Sequence, residues 1–245
     1  MPVPETPEIA PDLLSRIPML ATGQHGGSGD AMCAMEAVAY LAGEPVSDEP
    51  ACASRIIAAF LRVWNDGLPQ TERASLIRPL LTRIVGTNAP EAVERRRVGK
   101  VVDWLVRTHL PAWFRLAKLN VEADAVADHP EIRDVADLAT LCDHLTHARR
   151  RAAIGNLALR QTGPAVRAAA WDATHRAAWA AVQVALEEAG TPILTAGWNA
   201  SYAAAYAAAR ASGKASLEPT RLALQASAAA LVERLIETGS TADFT

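Results

Sequence analysis

The chain has little that usually announces chemistry. In 245 residues there are three cysteines, six histidines, three tyrosines and three phenylalanines. No CxxC, HxxxH or HExxH spacing appears, so no zinc or redox signature is present as a motif. No phosphate-cradling P-loop, dinucleotide fingerprint or placeable Ser-His-Asp set is found either. Charge of one sign is also lacking. Twenty-four Lys and Arg stand against 27 Asp and Glu, a net charge of -3, which implies no wholesale attraction to nucleic acid or membrane. No apolar run reaches transmembrane length. The start, MPVPETPEIAPDLL, lacks the basic-then-apolar order of a secretion signal. So few cysteines suit a reducing cytoplasm.

Alternating strand patterns and β-branched runs are missing as well, while alanine, leucine and arginine abound. The expected class is all-α: a bundle of about eight to ten helices with no sheet. The expected divisions are an extended arm over 1–12, which holds four prolines, a helical region over 13–159, an alanine-rich helical hairpin region over 160–238 packed on it as one compact domain, and a loose tail over 239–245. Composition shifts toward alanine between Gly155 and Pro164.

Chemistry is densest between Met19 and Ser54. Gly26, Gly27 and Gly29 mark a turn. Asp30 is placed to cap a helix through Met32, Met35, Val38 and Leu41, with a stop at Gly43. Cys33 then falls in the first turn, where the positive helix end favours a thiolate, and Glu36 shares its face. Ser47 or Asp48 is placed to cap the next helix, with Pro50 in its first turn. A hairpin of the two helices brings His25, Cys33, Glu36 and Cys52 together. Three readings stand: buried small residues, a thiol or zinc site, or a disulfide. On the second, Cys33 is nucleophile or ligand, His25 base or ligand, and Glu36 and Cys52 assist.

Further on, Ile56, Ile57, Phe60, Leu61 and Trp64 form a core stripe. A helix over Thr71–Val85 should kink or divide in two at Pro79, and one beginning near Asn88 should end before Pro111. The next is expected to run to about Ala127. The run Glu94-Arg95-Arg96-Arg97 reads as a solvated face. A long helix from Pro130 to Leu159 carries Cys142, Asp143, His144 and His147, and the two histidines, one turn apart, are a minor metal candidate. Nucleic-acid binding is a third-ranked possibility, through Arg95–Lys100 and Arg149–Arg151, and would need the two segments side by side.

The most specific pattern is a repeat at an offset of 27 residues. Trp171, His175 and Trp179 in WDATHRAAWAA match Trp198, Tyr202 and Tyr206 in WNASYAAAYAA. The i, i+4, i+8 spacing keeps each triplet on one helix face. Such a face is either core or a ring-lined groove for a partner helix or small ligand. The last helix is expected over Leu217–Ile236.

Three segments, CAMEAVAYLAGEP with SDEPAC, FLRVWNDGLP and DWLVRTHLPAWFRLA, together with LEPTRLALQASAAALVERLI, resemble an alanine-rich helical family of high-GC, actinobacterial-type bacteria and their phages. The resemblance covers most of the chain and implies a bacterial or phage cytoplasmic protein, without implying an activity. That family carries a second His in the turn before the second Cys; here the turn is Ser47-Asp48-Glu49-Pro50. The reading that follows is a helical interaction or ligand-binding protein that binds a protein partner or itself. The alternative is a zinc- or thiol-dependent enzyme or sensor.

Overall fold

The computed structural model describes residues 11–25, 31–133, 137, 145–147, 150–151, 173–185 and 217–239. The protein is all-α, as its composition predicts. By contacts the chain divides into two units: residues 1–97, 176–185 and 228–245 form one, and 98–175 with 186–227 the other. Among the described residues no helix is long and apolar enough to cross a membrane.

In the first unit, α1 (Pro11–Arg16) leads into β1 (Met19–Leu20), which pairs in parallel with β2 (Ala31–Met32). This two-residue pair corrects the expectation of no sheet. It also moves the start of the first main helix. α2 spans Ala34–Ala42 and is capped by Cys33, not Asp30. Glycine meets the stop at Gly43, whose φ of 70° is the left-handed conformation a helix end favours. α3 spans Arg55–Gly67 and is capped by Ser54, so the segment from Ser47 to Ala53, Cys52 included, is a turn ahead of the helix. A buried Ser hydroxyl accepts from the Ile57 amide and outcompetes Ser47 and Asp48 as cap. Its stripe is core as read: Ile56, Ile57, Phe60, Leu61 and Trp64 are fully buried, each contributing roughly 1.5–3 kcal/mol. α2 packs on α3 and on α5 (Leu81–Ile84).

Prolines are handled the same way twice. A widened π turn, Arg73–Ile77, follows the short α4 (Gln70–Glu72) and precedes Pro79, which sits in a tightened 3-10 turn before α5. A second π turn, Leu105–His109, follows α6 (Glu91–Trp104) and precedes Pro111 at the start of α7 (Leu110–Leu116). Proline lacks an amide and its ring crowds the preceding turn. Widening that turn lets the helical path continue. Pro79 therefore splits the α-helical pattern into α4 and α5, as expected, without breaking the helical path, and Pro111, expected to lie beyond a helix end, is passed in the same way.

In the second unit α7 closes at Leu116, earlier than expected, and Lys118 turns the chain with a φ of 61° into α8 (Asn120–Ala127), which packs on α7. Gly99 of α6 lies so close to the strap at Arg133 that an added Cβ would stand 2.2 Å from the Arg133 carbonyl oxygen. Asp103 holds the same strap by accepting from the Ile132 amide at 2.9 Å. Of the long helix expected over 130–159, residues 145–147 and 150–151 are helical and the remainder lies outside the described residues. Among the described residues, α9 (Ala173–Ala185) and α10 (Glu218–Glu237) follow. α10 matches the expected last helix within a residue at each end.

Candidate functional site

The opening stretch is organised by Glu36. Its carboxylate is fully buried and accepts from two amides, His25 N at 2.6 Å through Oε1 and Cys33 N at 2.8 Å through Oε2. Cys33 Sγ in turn accepts from the Glu36 amide at 3.4 Å. This is a capping box with sulfur in place of the usual hydroxyl. The spacing Cys-x-x-Glu is in the sequence, but with Cys in the first position it does not read as a cap. The loop ahead of it is pinned from α3: Asn65 Nδ2 donates to Ala21 O at 2.7 Å, and Gly23 N donates to Asp66 Oδ1 at 2.8 Å. Arg78 donates to the carbonyls of Leu14, Ile17 and Pro18. Asn65-Asp66 reads as a helix stop in the sequence; its role in tying the loop is tertiary.

These bonds decide what the stretch can do. Burial pushes the Cys33 thiol up to about 11, and the Glu36 charge adds to the effect against the cap's lowering influence. The helix end therefore does not supply a thiolate at neutral pH. The thiol of Cys52 is raised too, by burial first and by Glu44 next. His25 donates Nε2–H to the Thr22 carbonyl oxygen, 3.0 Å away, since a carbonyl can only accept. Both cysteines are free. Among the described residues no three His, Cys, Asp or Glu side chains are placed to hold a metal ion.

The second candidate cluster falls partly outside the described residues: Cys142, Asp143 and His144 are not among them. His147 is exposed, and its Nδ1 lies 4.0 Å from Glu122 Oε1 of α8. Glu122 is only 6% exposed and takes its short bond, 2.6 Å, from Arg151 Nη1.

Of the two basic segments, Arg149 lies outside the described residues, and Arg150 and Arg151 are exposed. Arg97, read as part of a solvated face, is buried with Glu94 beside it. The correction follows from helix geometry: Val93, Glu94, Arg97 and Val98 fall on one side of α6 and are buried, while Arg95 and Arg96 are exposed. Arg97 Nε donates to Leu235 O, Nη1 to Thr87 O and Nη2 to Thr238 O, at 2.8–2.9 Å. The guanidinium thus satisfies the carbonyl end of α10. Burial lowers its pKa, and Glu94 opposes that shift. Glu94 is itself held by Ser54 Oγ, which donates to its Oε2 at 2.7 Å.

Of the repeated ring pattern, Trp171, Trp198, Tyr202 and Tyr206 lie outside the described residues. His175 lies in α9, and its side chain is outside them too. Trp179 of α9 is half-buried. The flanking Ala177, Ala178, Ala181 and Val182 are fully buried.

One concave site was not anticipated. In the second unit a groove of about 550 Å³ runs between α7 and the first half of α10. Ala112, Leu116, Pro219, Ala223 and Leu224 give it an apolar floor, Thr108, Thr220 and Ser227 add hydroxyls, and Arg115 and Lys118 are its charged members. Among the described residues that line it there is no carboxylate. Ser227 Oγ accepts from Trp104 Nε1 at 2.7 Å, which anchors the groove wall to α6. The sequence carries a trace of it in Pro219, Ala223 and Ser227, which recur every four residues, but nothing in the sequence pairs them with Ala112 and Leu116.

The site thus belongs to an all-α protein with an open apolar cleft and a buried, structurally committed Cys-Glu pair. Comparison with family models, with curated proteins and with solved structures found no match.

Proposed function

We propose that the protein is a non-catalytic helical interaction module that takes a partner helix in the groove between α7 and α10. The observation that carries this reading is the groove itself. Its volume of about 550 Å³ falls in the range of roughly 300–1,000 Å³ usual for binding clefts. Its floor is apolar, and Ala112 and Ala223 leave room for a third helix backbone to approach closely. Helix-in-groove recognition uses this arrangement, with anchors of the incoming helix spaced three and four residues apart. The alternative, a zinc- or thiol-dependent site at His25, Cys33, Glu36 and Cys52, has less support, because the Cys33 thiol stays protonated and the Glu36 carboxylate is spent on two backbone amides.

The test is to select helical peptides against the folded protein from a displayed library, then to measure their affinity for wild type and for Ala223→Trp. The indole should fill the groove and weaken the selected peptides about tenfold or more, as loss of a hot-spot pocket does. Peptides that bind Ala223→Trp as tightly as wild type would refute the proposal.

A further inference from the structure

This inference rests on that reading of the groove and names its occupant. We propose that the partner is an acidic amphipathic helix, which lays its apolar side on Ala112, Leu116, Ala223 and Leu224 and brings its carboxylates to Lys118 and Arg115.

Two observations point that way. The first is charge complementarity: both charged residues of the described lining, Arg115 and Lys118, are cationic. A helix that presents acidic residues beside its apolar side meets cations there, and a basic one meets like charge, which is costly across an interface. The second is where Lys118 sits. α7 ends in a Schellman motif: Leu119 N donates to Phe114 O at 2.9 Å, and Lys118 N donates to Arg115 O at 3.0 Å. The residue at the turn of that motif is left-handed and is usually glycine. Lys118 occupies it at a φ of 61° and is the one non-glycine residue with positive φ among the described residues. A side chain in that conformation is disfavoured relative to glycine. Attraction to the carbonyl end of a seven-residue helix offsets only part of that. Arg115 is paired with Asp124 at 3.0 Å, whereas Lys118 has no ion-pair partner among the described residues. A glycine would close the helix better, so the lysine side chain stands at the groove at a cost in backbone strain and presents its ammonium group there.

The experiment uses two designed helical peptides of equal length and identical Leu/Ala apolar side, one flanked by Glu and one by Lys, measured by fluorescence anisotropy at low and at high salt. The Glu peptide should bind the wild-type protein and weaken as salt rises, and the Lys peptide should not bind. Lys118→Gly relieves the backbone, so it should fold at least as stably while weakening the Glu peptide about three- to tenfold, as loss of a rim charge does. Ala223→Trp should abolish binding. If both peptides bind equally and Ala223→Trp removes both, the groove reading survives and the acidic occupant is refuted. An affinity unchanged in Lys118→Gly also refutes it. If neither peptide binds, or if Ala223→Trp changes nothing, the groove reading falls and this inference with it.

Discussion

Arg97 Nη1 lies 2.6 Å from Glu94 Oε1, and both side chains are almost completely enclosed. The pair is one helical turn long, yet its remaining bonds reach three other segments: the α3 cap at Ser54, the turn at Thr87 and the end of α10. A buried ion pair is a net gain only when the remaining donors and acceptors are satisfied, and here every nitrogen of the guanidinium has an oxygen partner.

Removing one partner leaves an isolated buried charge. Arg97→Leu is therefore expected to lower unfolding stability by about 3–5 kcal/mol. Arg97→Lys should also be clearly destabilising, because an ammonium cannot reproduce the guanidinium fork to Leu235, Thr87 and Thr238. Urea denaturation of both variants checks this. A Lys variant as stable as wild type would mean the fork geometry is unimportant.

Cys33 links stability to alkaline pH. Its thiol is raised from an ordinary 9.0 to about 11 in the folded chain. Protonated thiol is thus favoured by folding, so its contribution is complete below pH 9 and fades as pH climbs toward 11. Cys33→Ser keeps a side-chain cap acceptor and removes the titration. The wild type should lose stability relative to Cys33→Ser between those pH values, by up to about 2–3 kcal/mol. Chemical denaturation as a function of pH measures it. In the native protein, Cys52, the less buried of the two, should react with a thiol reagent well before Cys33.

Glu36→Gln retains the shape of the side chain but leaves one oxygen to serve two amides. A loss of about 1–3 kcal/mol is expected, typical of an unsatisfied buried donor. Hydrogen exchange should quicken at the amides of His25 and Cys33 before it does so in α3. Uniform quickening across the first unit would show that Glu36 acts on the whole unit and not on the loop.

Gly99→Ala tests the close approach of α6 to its strap. The added methyl would meet the Arg133 carbonyl at 2.2 Å. Ala is the better helix former by about 1 kcal/mol, so intrinsic propensity alone predicts stabilisation. The clash should win and destabilise by roughly 1–3 kcal/mol. A rise in Tm would mean that the strap moves aside freely.

Much of the fold was legible in the chain. The α3 stripe, the interruption at Pro79, the stop at Gly43 and the last helix all follow from periodicity and from the few residues that punctuate helices. These signals are local, set by neighbours within a turn or two. Caps were harder to read. Cys33 displaced Asp30 because a buried Glu36 could complete the box, and Ser54 displaced Ser47 because Glu94, forty residues on, could hold its hydroxyl.

By itself the sequence determined that the protein is helical, roughly where its rods begin and end, and which rods bury a stripe. Only tertiary structure decided which charges go inside and where a concave surface opens. Arg97 and Arg95 are alike as letters and differ only in what stands opposite them. Ala112 and Ala223 become a groove only once two helices far apart in the chain lie side by side. Burial and cavity shape are set by long-range neighbours, and helical periodicity carries no record of those.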